Sequence, residues 1–326
     1  MPGSSHHRLF AIVALALVAW AHAVPGWAQS IPVVAYVANE NADPARMAAF
    51  KKGLADLGYD EAKNLRLEYR FAKLDREYDA VMAELMSRRV DLIVASNAPA
   101  ASAAARATRM IPIVLAGVND PVGLGIAASL EHSGRNVTGT TIYAPDLIGE
   151  RLRILQRIAP RTDRVAIFMN GNNRNNPAQV TRLVDAGKGL GIRVDSIDIR
   201  SPNDVAPGVA EAVASGAKAF FNCVDSFINS QRFSIGKLTR EAKRPTVMTD
   251  REYVLAGGLM ALGVGHTEGF YRAAEYAHKV LRGANPADLP IALPTERALS
   301  VSRSALNDIG VTLPGEIADQ VTEWLP

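Results

Sequence analysis

Cysteine is nearly absent from this chain, whose 326 residues include only Cys223. One cysteine excludes an internal disulfide, so the fold must be stabilised by packing. A chain of this length can bury enough apolar surface for that purpose, and it is long enough for two domains of average size.

The sequence also lacks the common signatures of catalytic and cofactor sites. It contains neither the phosphate-binding pattern G-x-x-x-x-G-K-[ST] nor the nucleophile pattern G-x-S-x-G. Three histidines follow the N-terminal region, at His132, His266 and His278, and they are too far apart in sequence to match metal-ligand spacing. We therefore expect no cofactor and no bound metal, and the sequence gives no support for an enzyme.

No charge of one sign dominates, because 36 Lys and Arg residues face 33 Asp and Glu residues. The charges are scattered, and they form neither a basic stripe nor a basic amphipathic helix. This pattern argues against a nucleic-acid partner and against a membrane surface.

Long apolar runs are rare, and the clearest is Leu9–Ala19, which follows Arg8. In Gly26-Trp27-Ala28, small residues occupy the two positions that a signal peptidase reads, which predicts cleavage after Ala28. Cleavage near Ala23 and an uncleaved anchor are the alternatives. The run is too short to span a bilayer comfortably, so we predict a signal peptide over residues 1–28. We therefore expect an exported, periplasmic protein. Because Cys223 is the only cysteine, no lipid-modified cysteine can follow the signal peptide, and we do not expect a lipoprotein.

From residue 31 onward, strand and helix patterns alternate. The predicted strands are continuous apolar runs, which indicates a parallel sheet covered by helices on both faces. The same architecture recurs after residue 143, so two tandem α/β units account for the length. Between them, Ile111–Tyr143 is predicted to contain a strand, a break at Asn119-Asp120-Pro121, one short helix and a polar segment. Its Gly123–Ala128 matches G-x-G-x-x-A, but it follows the fourth strand, which argues against a dinucleotide site.

Polar residues follow the apolar strands at their carboxyl ends, where ligands bind to open α/β sheets. Any one of them can also be a helix cap or a turn residue. Together they predict a ligand site with donors for a carboxylate and an acidic group for an ammonium. The candidates are Ser96, Asn97, Asp120, Asn170, Asp225, Ser226 and Asp250.

The sequence of residues 112–141, PIVLAGVNDPVGLGIAASLEHSGRNVTGTT, resembles ABC transporter substrate-binding proteins of the type I periplasmic fold. The closer resemblance is to the subfamily that includes tryptophan and phenylalanine binders. Further matching segments are Glu150–Leu155, Ala256–Met260, Tyr271–Ala277 and Leu281–Pro290.

The resemblance implies two Rossmann-like lobes with parallel sheets, joined by a three-strand hinge. We expect residues 31–143 with 253–283 in the first lobe, and residues 144–252 with 284–326 in the second. The family's pocket positions correspond to Ser96, Asn97, Asp120, Thr138, Thr140, Thr141, Asn170, Asp225 and Ser226, with Asp250 as a weaker match.

The implied function is capture of an amino acid, or an aromatic or carboxylate compound, for an inner-membrane ABC permease. We expect a monomer. The alternative is a periplasmic sensor that signals to a membrane receptor. The asparagine-rich loop Asn170–Asn176 departs from the family pattern, and its Arg174 would either meet an extra acidic group on the ligand or point to solvent.

Overall fold

Strands and helices alternate along the computed structural model, which describes residues 31–265 and 267–326. The predicted signal peptide, residues 1–28, lies outside the described residues. The first stretch contains β1 (Val33–Asn39), α1 (Pro44–Asp56), β2 (Arg66–Ala72), α2 (Tyr78–Ser87), β3 (Leu92–Ala95), α3 (Ala98–Ala107), β4 (Ile113–Val118) and β5 (Val137–Thr141).

The chain then forms the α/β elements of a second lobe and returns briefly to the first. The second lobe begins with α4 (Asp146–Ile158), β6 (Arg164–Met169), α5 (Asn176–Leu190), β7 (Arg193–Asp198), α6 (Val205–Ala214), β8 (Ala219–Asn222), α7 (Ser226–Ser230), α8 (Arg232–Glu241), β9 (Val247–Met248), α9 (Arg251–Leu255) and β10 (Met260–Val264). The remaining elements are α10 (Glu268–Leu281), β11 (Ile291–Ala292), β12 (Arg297–Ser302), α11 (Arg303–Ile309), α12 (Gly315–Ala318) and β13 (Glu323–Leu325).

The first lobe is built on a six-stranded sheet with the order β11-β5-β4-β3-β1-β2. All its strand pairs are parallel. Side chains alternate between the two faces, so Ala35 and Ile93 pack toward α2 and α3 while Val34 and Leu92 pack toward α1 and α10. Both faces are buried, which is why the strands read as continuous apolar runs.

The second lobe is built on two sheets, β7-β6-β8 and β13-β12-β10-β9. A parallel bridge between Phe220 and Thr246 joins their edges. One core contains α4 and α5, and the opposite core contains α6 and residues of α8 and α9. The predicted α/β class with parallel sheets is confirmed, although β10 and β12 form one antiparallel pair.

The chain passes between the lobes three times: from β5 to α4, from β10 to α10, and from β11 to β12. The sheet pairing differs from the expected division at two places. β10 pairs with β9 and β12 in the second lobe, and β11 pairs with β5 in the first. We therefore propose that the first lobe takes back residues 265–293, and that residues 253–264 belong to the second lobe.

Local sequence explains several helix starts. Asp43 caps α1 by accepting the Ala45 N–H, and Pro44 occupies the first turn. Asn97 caps α3 by accepting the Ala100 N–H. The short helix expected after Asn119-Asp120-Pro121 is absent, because residues 121–125 form successive turns.

Strand β5 contains a glycine that its neighbour requires. Gly139 has φ +123°, and a Cβ there would lie 2.3 Å from the Leu115 carbonyl oxygen of β4. Only glycine permits this close approach of two backbones. The polar segment predicted between the two α/β units forms this strand, and all five of its residues are buried.

Within the described residues, no helix is both long enough and apolar enough to cross a bilayer.

Candidate functional site

A cleft that is partly open to solvent lies where the carboxyl ends of strands from both lobes meet. The first lobe contributes residues after β3 and β4, and the second contributes residues after β6, β8 and β9. Two of the three crossings contribute Ile142–Pro145 and Gly263–Gly265. The cleft is therefore lined by both lobes and by two of the segments that connect them.

Six of the candidate residues predicted from the sequence line this cleft. They are Ser96, Asn97, Asp120, Asp225, Ser226 and Asp250. Asn97 is also a structural residue, since its Nδ2 donates to Tyr78 Oη at 2.8 Å while its Oδ1 caps α3. Asp250 likewise caps α9 by accepting the Glu252 N–H. The caps bring these polar groups to the sheet edge, so the same residues are both helix caps and candidate ligand-site residues.

The structure differs from the prediction at the three threonines of β5, which are buried and do not line the cleft. Thr138 donates to the Pro290 carbonyl at 3.1 Å, and Thr140 donates to the Gly269 carbonyl at 2.8 Å. Thr141 donates to the Val118 carbonyl at 2.6 Å. Their hydroxyls satisfy backbone groups where the sheet approaches the crossings, which leaves them with a structural role.

Asp225 is a buried carboxylate that an amide cluster surrounds. Its Oδ1 accepts the Ile228 N–H at 2.8 Å, and its Oδ2 accepts Asn173 Nδ2 at 2.7 Å. Asn170, which does not itself line the cleft, donates to the same oxygen at 3.5 Å, as does Asn176. Burial raises the pKa of Asp225, and these donors oppose the rise. The asparagine-rich loop therefore supports an acid that would otherwise be costly to bury.

Asp120 holds an unusual backbone conformation at the cleft, with φ +44°. Its side chain accepts the Gly123 N–H at 2.9 Å, and its carbonyl accepts Asn175 Nδ2 of the second lobe at 3.4 Å. Non-glycine residues rarely adopt this conformation, and they concentrate at functional sites when they do. The turn thus presents a main-chain acceptor toward the opposite lobe.

A second bridge between the lobes is ionic. Arg46 of α1 pairs with Asp250 and, at 3.2 Å, with Glu252. Arg232 lies on the other side of Glu252, at 3.5 Å. Burial alone would lower the pKa of Arg46, but the charges of Asp250 and Glu252 outweigh it and hold the pKa above its usual value. The lobes are therefore in contact across the cleft.

Sequence reasoning missed the basic residues of the cleft. Arg174, which it singled out, is exposed and does not line the cleft, whereas Arg151 and Arg182 do. Arg182 stacks on the Tyr143 ring at 5.5 Å and donates to Tyr143 Oη at 2.8 Å. A signal for Arg151 existed: it lies four residues after Leu147 and three before Ile154, on the buried face of α4.

Three buried polar atoms of cleft-lining residues have no hydrogen-bond partner among the described residues. They are Arg46 Nε, Asn229 Oδ1 and Tyr253 Oη. Buried polar atoms normally have partners, so these positions are suited to a polar ligand or to ordered water.

Cys223 lies beneath the cleft as a buried free thiol, and burial raises its pKa far above the ordinary value. Among the described residues, no group of three or more His, Cys, Asp or Glu side chains is arranged to hold a metal ion.

The chain matches the sequence model of a family described as ABC transporter substrate binding protein, over residues 30–324. A curated relative, the tyrosine-binding protein of Clostridioides difficile, is 28% identical over 279 residues, which cover 85% of this chain and 80% of the relative.

Two solved structures share the fold at lower identity. An ABC domain from Streptococcus pneumonia in complex with L-Trp superposes with a TM-score of 0.85 at 20% identity, covering 91% of this chain and all of the other. A ligand-free, open substrate-binding protein with adhesive properties from Clostridium difficile gives a TM-score of 0.69 at 24% identity, covering 90% and 99%. These similarities confirm the type I periplasmic-binding fold.

Proposed function

Because this chain belongs to the ABC transporter substrate-binding protein family, we propose that it captures an amino acid or a related aromatic carboxylate between its lobes. The family consists of solute-binding proteins that work with a permease. The finer assignment, that the ligand is an amino acid, rests on the chemistry of the cleft.

The observation that carries the proposal is that one cleft is lined by polar groups from both lobes. Ser96 and Asp120 belong to the first lobe, and Asp225, Ser226 and Asp250 belong to the second. A ligand that contacts both lobes favours the closed state by the difference between its affinities for the closed and open states. Groups on one lobe alone would bind the ligand without driving closure.

The ligand chemistry follows from the cleft lining. Asp225 suits an ammonium group, since its carboxylate is buried and held in place by four donors. Tyr143, Ile148 and Phe270 add apolar surface beside the polar groups. A zwitterion with an aromatic side chain fits this combination, and both a tyrosine-binding relative and a fold neighbour in complex with L-Trp agree with it.

Delivery to a membrane permease implies that the protein works outside the inner membrane. We propose an exported, periplasmic protein that acts as a monomer and presents the surfaces of both lobes to its permease when the cleft is closed. The sensor alternative requires a signalling receptor, and no observation on this chain favours it.

The test is ligand screening on the purified protein. We expect L-tyrosine or L-tryptophan to raise the melting temperature, and calorimetric titration to give saturable one-site binding, because ligand bound only by the folded state stabilises it. Sugars and inorganic anions are the negative controls. A protein that binds sugars but none of the amino acids or aromatic carboxylates would contradict the assignment.

A further inference from the structure

Arg151 is a buried cation on the inner wall of the cleft. Its side chain is only 6% exposed. The Nε atom donates to the Leu262 carbonyl of β10 at 2.8 Å, which fixes the side chain between α4 and that strand. No other hydrogen bond from this guanidinium to a described residue occurs, and no described carboxylate lies within 4.0 Å of it. Its two terminal nitrogens are therefore available to the cleft that the residue lines.

Arg46 and Arg232, two partly buried arginines of this region, differ from Arg151 in their partners. Arg46 pairs with Asp250 and Glu252, and Arg232 pairs with Glu252. Proteins almost always pair a buried charge, because an unpaired one is costly to remove from water. Arg151 carries that cost without a carboxylate partner among the described residues.

The charge of Arg151 nevertheless persists at neutral pH. Burial lowers its pKa to about 10, and the more distant acids Glu150 and Asp146 offset this only in part. Arg151 is therefore still protonated throughout the physiological range. Many buried ionisable groups become neutral by a change in protonation, but Arg151 does not lose its proton in this range.

Arg151 and Asp225 supply charges of opposite sign to the same wall without forming an ion pair with each other. Asp225 already accepts hydrogen bonds from Ile228 and Asn173, and Cys223 lies near both charges. A ligand that has both an amino and an acidic group could satisfy the two at once.

We propose that Arg151 is the anion-binding point of the cleft and that it pairs with a carboxylate of the bound ligand. This inference rests on the proposed function and deepens it, since it makes a carboxylate a requirement for tight binding. A guanidinium held through Nε presents its remaining donors as a fork, and such a fork matches the two oxygens of a carboxylate.

The competing reading is that Arg151 only ties α4 to β10. The two readings differ in what a substitution does to ligand selectivity. Loss of a structural tie would weaken every ligand alike. Loss of a carboxylate partner would weaken only the ligands that have a carboxylate.

The experiment compares L-tyrosine with tyramine, and L-tryptophan with tryptamine, by calorimetric titration of the full chain. Each amine equals its amino acid without the carboxylate. The proteins are the wild type, Arg151→Met, Arg151→Lys and Arg157→Met. Arg157 lies on the same helix, but it is exposed and pairs with Glu316, so it is the matched control.

We expect the wild type to prefer the amino acid over its amine by about 100-fold or more, as a buried charge-assisted contact implies. In Arg151→Met the preference should fall to within about threefold, through weaker binding of the amino acid alone. Arg151→Lys should regain part of the preference, because it restores the charge without the fork. Arg157→Met should match the wild type.

A wild type that binds tyramine as tightly as tyrosine overturns the inference. So does an Arg151→Met or Arg151→Lys protein that keeps the full wild-type preference, even if it binds both ligands more weakly. If Arg151→Met fails to fold, Arg151→Lys decides alone. A wild type that binds none of the four compounds contradicts the aromatic amino acid assignment itself, which separates that failure from failure of this inference.

Discussion

We propose that the carboxylate of Asp225 pairs with the ammonium group of the ligand. Replacement by Asn keeps the shape and one acceptor oxygen but removes the charge. We expect Asp225→Asn to weaken binding of L-tyrosine or L-tryptophan by roughly 10- to 100-fold, the range for a lost charge-assisted hydrogen bond. Calorimetric titration measures the change.

The stability of the same variant should change little. Burial raises the pKa of Asp225, so the folded state already disfavours its charge, and the loss of that charge offsets weakened bonds to the asparagines. Asp185→Asn, which alters an exposed carboxylate paired with Lys188, is the control. Unchanged affinity in Asp225→Asn would refute the role assigned to this carboxylate.

The carboxyl of Asp75 contributes to the free energy of unfolding in a way that depends on pH, and the sign of this dependence follows from its pKa. The residue is exposed, but the protein around its carboxyl and, to a smaller extent, the charge of Asp225 raise its pKa to about 6. The folded protein therefore keeps a proton that the unfolded chain releases between about pH 4 and pH 6. Above that window the contribution of Asp75 to the free energy of unfolding is unfavourable.

We predict that Asp75→Asn has the stability of the wild type near pH 4 and exceeds it at pH 7, because Asn mimics the protonated acid at every pH. Thermal unfolding at closely spaced pH values measures the difference. Asp319→Asn changes another exposed carboxylate and is the control. A constant difference between Asp75→Asn and the wild type across this range would contradict the prediction.

For single residues, the sequence predicted a role correctly where the side chain bonds to neighbours in the sequence, as a helix cap does. Asn97 and Asp250 were found because polar residues after apolar strands are both caps and ligand-site candidates. The sequence did not single out Arg151, because the argument for this residue rests on the lack of a nearby carboxylate. A single sequence does not reveal which charges are paired in space. The same reason explains why the sequence placed the hydroxyls of Thr138 and Thr140 at the ligand site rather than against the backbone: their backbone partners lie more than 100 residues away, in the 269–290 region.

Among the elements, β5 contains a glycine position that leaves no room for a side chain. Gly139→Ala would combine a positive φ with a Cβ that lies 2.3 Å from the Leu115 oxygen. We expect a loss of about 3–4 kcal/mol in the free energy of unfolding, since the clash involves backbone on both sides and the strand leads into the first crossing. Urea unfolding gives the value.

Gly283→Ala is a matched control for backbone strain, because Gly283 has φ +94° but no atom within 4 Å of the added Cβ. Strain alone should cost about 1–3 kcal/mol. If both variants lose the same stability, the close approach at Gly139 contributes nothing and the argument for β5 fails.

Element types were largely readable from the sequence, and element partners were not. Caps at Asp43 and Asn97 and continuous apolar strands reflect local preferences. The assignment of β10 to the second lobe depends on its pairing with β9 and β12, which no local pattern encodes. The missing short helix after Pro121 shows tertiary context overriding a weak helical pattern: the segment forms turns anchored by the Asp120 side chain.

For the whole molecule, the bridge from Arg46 to Asp250 and Glu252 sets how readily the lobes stay together. Arg46→Met would remove the cation that joins α1 of the first lobe to Asp250 and Glu252 of the second. We expect the ligand-free protein to open, with a larger radius of gyration in solution scattering. Ligand affinity should fall by about tenfold, because a smaller fraction of molecules is competent to bind.

Saturating L-tyrosine or L-tryptophan should return Arg46→Met to the wild-type radius, since ligand binding restores closure. Arg66→Met removes an exposed arginine that pairs with Glu68, and it is the control. A ligand-free Arg46→Met protein with the wild-type radius would show that the bridge does not hold the lobes together.

The buried thiol of Cys223 has a practical consequence. Thiol reagents attack the thiolate, and a deeply buried thiol with a strongly raised pKa presents almost none. The native chain is therefore close to a silent background for dye chemistry. Cysteines introduced at the exposed positions Ser87 and Lys237, one on each lobe, would accept a donor and an acceptor fluorophore without deleting the native cysteine. Energy transfer between them would convert this protein into an optical sensor of its own solute.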